Sequence, residues 1–249
     1  MKIVAIIPCR YDSKRFQGKA LMAVFGKPLV QWVYEGAKQT AILSDVVVAT
    51  DDERIYRTVE SFGGRVLMTA PTHRSGSDRV AEAAGKLDLS NQDVVINVQG
   101  DQPAFHPKCL SEVVSPLIED QALYMSTLIH KIEDPDEVKD PNCVKCVFDN
   151  NGFALYFSRS PIPFNRDDSA SGEVFKHLGI YAFRKDFLDR FVSLPQGRLE
   201  SVEKLEQLRV LEQGYRIKVV ETRYDSKAID TPSDIEKLDT VLGSRHGLP

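Results

Sequence analysis

Apolar runs and amphipathic stretches alternate along the first half of the chain. Residues 94–98 are apolar at every position but Asn97, which is typical of a strand covered on both faces of a sheet. Between such runs, apolar residues recur at helical spacing. This alternation predicts βαβ units and a parallel sheet. We predict strands over residues 2–8, 45–50, 65–69 and 93–98, and helices over residues 29–38, 52–62 and 78–86.

The pattern changes after about residue 121, where strand-like segments follow one another with few helices between them. Strands are predicted over residues 124–131, 144–149, 153–158 and 177–183, and a polar loop over residues 165–172. This change indicates a more antiparallel subdomain, residues 121–200, inserted in the α/β core. A helix over 202–213, a strand over 217–221 and a helix over 233–242 would then close that core. Because no Gly- or Ser-rich linker interrupts the chain, we expect a single domain over residues 1–249.

Composition and charge narrow the class of protein. The 249 residues are 42% hydrophobic and 27% charged, which is ordinary for a globular protein. A net charge of -4 argues against a non-specific nucleic-acid binder but allows a local basic site. No apolar run approaches the length of a membrane span. The first residues enter a strand-like segment rather than a signal peptide, so we expect a cytoplasmic protein with no membrane segment.

The cysteines predict no metal site of their own. Cys143 and Cys146 form a C-x-x-C, but the chain has no second such pair and no histidine close by. The flanking Val144 and Val147 indicate a strand. We therefore expect structural thiols here and at Cys9 and Cys109.

A basic, glycine-punctuated loop follows the first predicted strand. It carries Arg10, Arg15 and Lys19 before a segment, residues 20–38, that is predicted to be largely helical. A strand that runs into a cationic loop at the edge of an α/β sheet is typical of phosphate binding. Several cations so close together suit a triphosphate. The alternative, a solvated basic loop, stays open because a short basic motif alone is weak evidence.

Two carboxylates are candidates for a metal site. Asp101 follows an apolar strand and Gly100, which permits close backbone approach. Mg²⁺ often needs only one or two carboxylates together with substrate phosphates. Asp101 could equally cap the turn before Pro103. Asp230 is a second candidate, with the alternative that it begins the turn into the last helix.

Three further polar motifs allow either a binding role or a structural one. The loop over residues 74–79 opens a helix, where backbone amides receive ligands or a serine simply caps the helix. His177, Gly179 and Tyr181 share one face of a predicted strand. Glu206 and Gln207 flank the apolar stripe of a predicted helix and face either a cleft or water.

Taken together, the motifs resemble a known family. In order along the chain, they closely resemble the 3-deoxy-manno-octulosonate cytidylyltransferases, or CMP-Kdo synthetases, from residue 2 to about residue 242. The opening motif is shared with many sugar nucleotidyltransferases, and the segments over 177–181 and 205–209 are much more specific. The motifs are Ile-Pro-x-Arg-x-x-Ser-x-Arg-x-x-Gly-Lys at 7–19, Ala-Thr-Asp at 49–51, Ser-Gly-x-x-Arg at 75–79, Asn-Val-Gln-Gly-Asp at 97–101, Tyr-Phe-Ser-Arg at 156–159, His-Leu-Gly-Ile-Tyr at 177–181, Leu-Glu-Gln-Leu-Arg at 205–209 and Asp-Thr-Pro at 230–232.

The resemblance implies a fold, a reaction and partners. The fold would be α/β, of the nucleotidyltransferase (Rossmann-like) type, with a mostly parallel sheet. The segment 121–200 would be the inserted, more antiparallel subdomain for sugar-acid binding and dimerisation. The anomeric hydroxyl of Kdo would attack the α-phosphorus of CTP, giving CMP-Kdo for lipopolysaccharide and pyrophosphate. The family is typically Mg²⁺-dependent and homodimeric.

The resemblance also assigns residues, with Arg10, Lys19 and Asp101 expected to carry catalysis. The implied sets are triphosphate ligands at Arg10, Arg15 and Lys19, a cytidine pocket at Ser75, Gly76 and Arg79, metal-binding carboxylates at Asp101 and Asp230, and a sugar-acid pocket at Gln99, Arg159, His177, Tyr181, Glu206 and Gln207. Asp101 also belongs to the implied nucleotide site.

Some positions depart from the family pattern, and other functions compete. Gln17 stands where members usually have Pro, Cys9 where Ala is common, and Arg74 where many have an uncharged residue. The same reaction on 8-amino-Kdo is an alternative. The segments over 177–181 and 205–209 argue against a sialic-acid enzyme. A non-catalytic nucleotide-binding paralogue is a further alternative, and the lack of G-x-G-x-x-G disfavours a dinucleotide oxidoreductase.

Overall fold

The computed structural model describes residues 1–12, 16–166 and 172–226. These residues form a nine-stranded sheet with helices packed on both faces. A separate two-stranded hairpin follows the first loop. The predictions for Arg15, Asp230, the helix over 233–242 and part of the 165–172 loop lie outside the described residues. No helix within those described ranges is long and apolar enough to cross a membrane.

The elements follow one another along the described ranges in an order close to the predicted one. The strands are β1 (Ile3–Cys9), β2 (Ala23–Val24), β3 (Lys27–Pro28), β4 (Asp45–Thr50), β5 (Val66–Met68), β6 (Val94–Asn97), β7 (Met125–Lys131), β8 (Lys145–Phe148), β9 (Ala154–Ser158), β10 (Phe175–Arg184) and β11 (Lys218–Glu221). The helices are α1 (Leu29–Lys38), α2 (Glu53–Ser61), α3 (Gly76–Gly85), α4 (Lys108–Glu119), α5 (Pro135–Lys139), α6 (Lys185–Ser193), α7 (Arg198–Glu203) and α8 (Gln207–Glu212).

The main sheet is mostly parallel. Its strand order is β11-β7-β10-β6-β1-β4-β5, and β8 and β9 extend it from β10 as an antiparallel pair. Strands β6, β1, β4 and β5 pair in parallel, as do β7 and β11. Strand β10 runs antiparallel to both of its neighbours in this path. The predicted α/β class with a mostly parallel sheet is confirmed.

The antiparallel pairings lie where the change of pattern predicts them. Strands β7 to β10 all fall within residues 121–200. Strand β10 nevertheless lies between β6 and β7. The region therefore continues the central sheet and is not a separate layer. That it binds the sugar acid and forms a dimer stays a prediction.

Strand β1 is buried on both faces, which explains its continuous apolar sequence. Val4 and Ile6 pack on the face covered by α3, α6 and α8, and Ala5 and Ile7 pack on the face covered by α1 and α4. Burying such a valine or isoleucine stabilises a fold by about 1.5–3 kcal/mol. The packing on both faces therefore fixes the position of the carboxyl end of β1, where the basic loop begins.

Two helical predictions are wrong in detail. Residues 20–28 form a short 3₁₀ turn and the β2–β3 hairpin, so helix α1 begins only at Leu29. The predicted helix over 202–213 is interrupted at Lys204, which has a φ of 55°. Arg159 Nε donates to the Glu203 carbonyl oxygen at 2.7 Å, so the end of α7 is satisfied from outside the helix. The interruption places Glu206 and Gln207 at the start of α8.

Candidate active site

A cavity of about 270 Å³ opens beside the carboxyl ends of β1 and β6 and the start of α3. This is the edge of a parallel sheet at which α/β proteins bind ligands. It collects most of the residues predicted to bind nucleotide and metal, from segments far apart in the chain. The lining consists of Pro8, Cys9, Arg10, Phe16, Lys19, Ala20, His73, Arg74, Ser75, Gly76, Arg79, Gln99, Gly100, Asp101 and Glu206.

Lys19 and Asp101 meet within this cavity. Lys19 Nζ lies 2.9 Å from Asp101 Oδ2, and the Lys19 side chain is only 12% exposed. Gly18, just before it, has a φ of 72° and would place a Cβ 3.2 Å from the Tyr11 ring. Glycine is therefore required where the basic loop turns back into the cavity. The predicted triphosphate ligand and the predicted metal ligand thus lie side by side.

Arg79 is held rigidly at the first turn of α3. Its guanidinium donates to Asp51 Oδ2 at 2.8 Å and also to Thr69 Oγ1, and its side chain is 4% exposed. These acceptors follow β4 and β5, so Arg79 joins the ends of both strands to α3. Arg79 therefore holds the start of α3 against the ends of β4 and β5, and it also lines the cavity.

Helix α3 begins with a capping box. The Ser75 hydroxyl accepts from the Asp78 N–H at 3.1 Å, and Asp78 Oδ2 accepts from the Ser75 N–H at 3.1 Å. A Cβ on Gly76 would lie 3.5 Å from Pro8 Cγ, so the helix starts against the end of β1. Both interpretations of this loop therefore apply, since Ser75 caps the helix and also lines the cavity.

Gly100 brings the ends of β1 and β6 into close contact, as predicted. A Cβ there would lie 2.8 Å from Cys9 Sγ and 3.0 Å from the Pro8 carbonyl oxygen. Burial, and to a lesser extent the charge of Asp101, raises the pKa of Cys9 to about 12. At neutral pH Cys9 is therefore a packed, unreactive thiol.

A polar cluster containing several predicted sugar-acid residues adjoins the cavity at Gln99. Gln99 Nε2 donates to the Gly179 carbonyl oxygen at 2.9 Å. The Tyr181 hydroxyl donates to Gln207 Oε1 at 3.0 Å, and the His177 and Tyr181 rings lie 5.3 Å apart. His177 and Tyr181 therefore share a face of β10, as predicted, although neither they nor Gln207 are among the lining residues.

The titratable groups of this polar cluster are neutral at neutral pH. Burial lowers the pKa of His177 to about 3 and raises the pKa of Tyr181 well above its ordinary value. His177 Nε2 lies 2.9 Å from Thr127 Oγ1, which itself donates to the Ile180 carbonyl oxygen at 2.8 Å. Because that hydroxyl proton is engaged, Nε2 carries the imidazole proton and Nδ1 is the acceptor.

Glu206 and Arg159, also predicted to bind the sugar acid, lie in different surroundings. Glu206 lines the cavity, and burial raises the pKa of its carboxyl group against an opposing hydrogen bond from Ser77. Arg159 lies outside the lining, where its Nη1 donates to the Pro141 carbonyl oxygen at 2.8 Å and its Nε to the end of α7. Its assignment as a ligand of the sugar carboxylate stays a prediction.

His73 is a lining residue with a titratable side chain to which sequence reasoning gave no role. A signal was present, because His73 lies two residues before Ser75 in the loop that was already a candidate. The missing information was its contact with Glu82 on α3, which is made across the fold.

Asp101 is a candidate metal ligand within the described residues. Among them no group of three or more His, Cys, Asp and Glu side chains is placed to hold a metal ion. Asp101 lies at the cavity with a side chain that is 36% exposed. A single accessible carboxylate beside phosphate-binding cations fits Mg²⁺, which completes its shell with phosphate oxygens and water.

A mostly parallel α/β sheet with a cation-lined cavity at the carboxyl ends of its strands defines a protein that binds a phosphorylated ligand. Comparison with known proteins narrows this class. The family model described as cytidylyltransferase matches residues 4–219. The chain belongs to the cytidylyltransferase family.

The matches to individual relatives extend over most of both chains. The chain is 54% identical over 215 residues to the 3-deoxy-manno-octulosonate cytidylyltransferase of Syntrophus aciditrophicus (strain SB), covering 86% of this chain and 87% of that protein. It is 51% identical over 218 residues to the 8-amino-3,8-dideoxy-manno-octulosonate cytidylyltransferase of Shewanella sp. (strain W3-18-1), covering 87% and 88%. A solved structure of CMP:2-keto-3-deoxy-manno-octonic acid synthetase complexed with CTP matches with a TM-score of 0.92 and 40% identity, covering 98% of this chain and 100% of that one.

Proposed function

We propose that this chain transfers CMP from CTP to the anomeric hydroxyl of 3-deoxy-manno-octulosonate, releasing pyrophosphate. The observation that carries the proposal is the meeting of Lys19 and Asp101, 2.9 Å apart, in a cavity that also collects Arg10, Ser75 and Arg79. Relatives that are named for this activity are about 50% identical over most of both chains, and their names supply the substrate class.

The nucleotide occupies the side of the cavity formed by the β1 loop and α3. Arg10 and Lys19 neutralise triphosphate oxygens, with Arg15 as a third cation, and Ser75, Gly76 and Arg79 receive the cytidine. Nucleotidyl transfer depends mainly on positioning and on stabilising charge that develops on the phosphates. A fixed, mostly buried ammonium group such as that of Lys19 meets this need.

The sugar acid occupies the side formed by β6, β10 and the start of α8. Gln99 and Glu206 line the cavity, and His177, Tyr181 and Gln207 form the polar cluster behind Gln99. Neutral donors and acceptors of this kind suit sugar hydroxyls. Arg159 is proposed as the carboxylate ligand on the family resemblance.

Asp101 would hold Mg²⁺, with Asp230 as the second carboxylate. When bound, the ion would neutralise charge on the phosphates of CTP. Because Asp101 contacts Lys19, a metal ion held by Asp101 would act close to that ammonium group. The reacting hydroxyl oxygen forms a bond to the α-phosphorus as the bond to the departing pyrophosphate oxygen breaks, and the hydroxyl proton leaves to solvent water.

The same reaction on 8-amino-3,8-dideoxy-manno-octulosonate is the second candidate. A relative named for that substrate is nearly as similar to this chain as one named for Kdo. The two sugar acids differ at C8, where an amine adds a positive charge at neutral pH. Direct competition between them decides the preference.

We also propose a cytoplasmic homodimer that supplies lipopolysaccharide synthesis. Within residues 121–200, the predicted dimerisation region, Leu155 is 61% exposed and Phe164 is 88% exposed. We propose that these two side chains belong to an apolar patch that the partner copy covers.

Pyrophosphate release tests the proposed activity. The chain is mixed with CTP and Mg²⁺, and Kdo, 8-amino-Kdo and N-acetylneuraminate are offered in separate reactions. We expect release that depends on Kdo, weaker release with 8-amino-Kdo and none with N-acetylneuraminate. Binding of CTP without release in any reaction would overturn the proposal in favour of a non-catalytic nucleotide binder.

A further inference from the structure

His73 lines the cavity but has no part in the proposed function. It lies in the loop between β5 and α3, close to Ser75 and Gly76. Its Nε2 contacts Glu82 Oε2 on α3, and the two side chains are 18% and 25% exposed. The imidazole is therefore tied to helix α3 through Nε2 in a residue that also lines the cavity.

Glu82 anchors this loop through several contacts. Its Oε2 also accepts from the Ala70 N–H at 2.9 Å, and its Oε1 lies 2.6 Å from Lys86 Nζ. Lys86 Nζ donates in addition to the Met68 carbonyl oxygen at 2.6 Å. The segment from Met68 to His73 is thus held by side chains of α3 and does not depend on its own turn geometry.

The same contacts fix which nitrogen of His73 carries the proton. Burial raises the pKa of Glu82, but hydrogen bonds from Lys86, Ala70 and His73 outweigh it and lower that pKa to about 2. Glu82 is therefore an ionised carboxylate at neutral pH and can only accept. His73 must donate through Nε2, and in the neutral ring Nδ1 is then an acceptor.

The other lining residues indicate which part of the nucleotide lies beside Nδ1 of His73. Arg10 and Lys19 are the cations suited to phosphates, and Gln99 and Glu206 lie on the side of the proposed sugar acid. The loop that carries His73 is the part of the described lining left for the nucleoside. Cytosine presents an exocyclic amino donor at position 4, whereas uracil presents a carbonyl acceptor there.

We propose that His73, oriented by Glu82, selects the base of the nucleotide by accepting a hydrogen bond at Nδ1 from the 4-amino group of cytosine. The proposal rests on the proposed function, because that function places a cytidine nucleotide in this part of the cavity. In the neutral ring, Nδ1 has no proton, so uracil in the same position would set its O4 against another acceptor. Glu82 is a positioning residue that acts through His73.

The test uses a variant that keeps one nitrogen of the ring and removes the other. In His73→Gln the amide NH2 takes the place of Nε2, so the contact with Glu82 is retained. The amide oxygen lies further along the side chain than Nδ1, so no acceptor occupies the Nδ1 position. His130→Gln is the matched control, because it makes the same substitution at a histidine that is not part of the cavity lining.

The measurement is calorimetric binding, with Mg²⁺ present, of CTP, UTP and the triphosphate of a pyrimidin-2-one ribonucleoside that lacks any group at position 4. We expect the wild type and His130→Gln to bind CTP about tenfold more tightly than the unsubstituted analogue. In His73→Gln this difference should fall below about twofold, with affinity for the analogue unchanged. Glu82→Gln should reduce the difference and raise the KM for CTP while kcat is retained.

The outcomes separate this inference from the proposed function. If His73→Gln keeps the wild-type preference for CTP over the analogue, or if the wild type shows no such preference, His73 does not select the base. If the wild type binds none of the nucleoside triphosphates, the proposed function fails, and this inference fails with it.

Discussion

Lys19 is the side chain on which nucleotidyl transfer should depend most directly. Its ammonium group is mostly buried and lies 2.9 Å from Asp101. We expect Lys19→Met to slow the single-turnover rate of CMP transfer by about two decades, because charge developing on the phosphates loses a fixed cation. Rapid-quench measurement at saturating CTP checks this.

The matched control is Lys27→Met. Lys27 also forms an ion pair, with Glu35 at 2.7 Å, but its side chain is 41% exposed and is not part of the cavity. Its variant should keep the wild-type rate. Equal rates for the two variants would show that Lys19 has no special role in the chemical step.

His177 should make stability depend on pH. Burial lowers its pKa to about 3 from an ordinary value of 6.5, so the unfolded chain binds more protons between these values. Stability therefore falls as the pH drops through this window, by about 2 kcal/mol between pH 7 and pH 5. We expect His177→Gln to lose this component of the pH dependence, measured as the urea midpoint at both pH values.

Thr127→Val provides the control for that experiment. It removes the hydrogen-bond partner of His177 but keeps the buried imidazole. Its stability should fall with pH as steeply as that of the wild type. If His177→Gln shows the same slope as the wild type, the imidazole is not held neutral by burial.

At the scale of residues, sequence reasoning could predict those parts of the site that follow strand ends. Arg10 comes directly after β1, and Asp101 lies four residues beyond the end of β6. The carboxyl ends of parallel strands meet at one sheet edge. The role of His73 could not be predicted in this way, since its orientation depends on Glu82 across the loop. Arg159 is likewise engaged by the end of α7, a contact that no local pattern encodes.

At the scale of elements, the close approach of β1 and β6 determines where Asp101 lies. We expect Gly100→Ala to reduce turnover by about tenfold or more while the chain still folds, because the new Cβ would lie 2.8 Å from Cys9 Sγ. Cys9→Ala removes that sulfur atom and should restore part of the lost turnover in the double variant.

The double-variant cycle also has a clear negative outcome. The Pro8 carbonyl oxygen, 3.0 Å from the same Cβ position, remains in place, so restoration should be incomplete. Additive effects of the two substitutions on turnover would mean that contact with the sulfur is not what displaces the loop of Asp101.

Element boundaries could be predicted where one pattern dominates. Strands β1, β4 and β6 lie within a residue or two of the predicted positions. Their apolar runs are short and rich in β-branched residues, which favours a strand over a buried helix. Helix α4 went unpredicted, although its buried Cys109, Leu110, Val113 and Leu117 recur at helical spacing. The end of α7 at Lys204 depends on tertiary contacts and on a left-handed residue, which sequence periodicity does not reveal.

At the scale of the whole molecule, strand order is the feature that sequence could least predict. Strand β10 lies between β6 and β7, although β7, β8 and β9 separate it from β6 along the chain. Each of its pairings is non-local, so local propensity does not determine them. This order places Gly179 against Gln99 and so joins the polar cluster of His177 and Tyr181 to the cavity.

The proposed dimer, a property of the whole molecule, can be tested by placing a charge on its proposed interface. We expect Leu155→Asp to shift the protein from dimer to monomer in sedimentation equilibrium, because it puts a charge on an apolar residue of the proposed interface. Ile118→Asp is the control, since Ile118 is also exposed, at 42%, but lies on α4 outside residues 121–200. Dissociation by both variants, or by neither, would place the interface elsewhere.

The central claim is that a sugar hydroxyl displaces pyrophosphate from CTP in this cavity. The most direct measurement uses Kdo labelled with ¹⁸O at the anomeric hydroxyl, with phosphorus NMR of the products after reaction with CTP and Mg²⁺. The account predicts that the label bridges the sugar and the α-phosphorus of the CMP-sugar, with none in pyrophosphate. Pyrophosphate formed together with free, unlabelled CMP would show hydrolysis of CTP and would contradict the transfer.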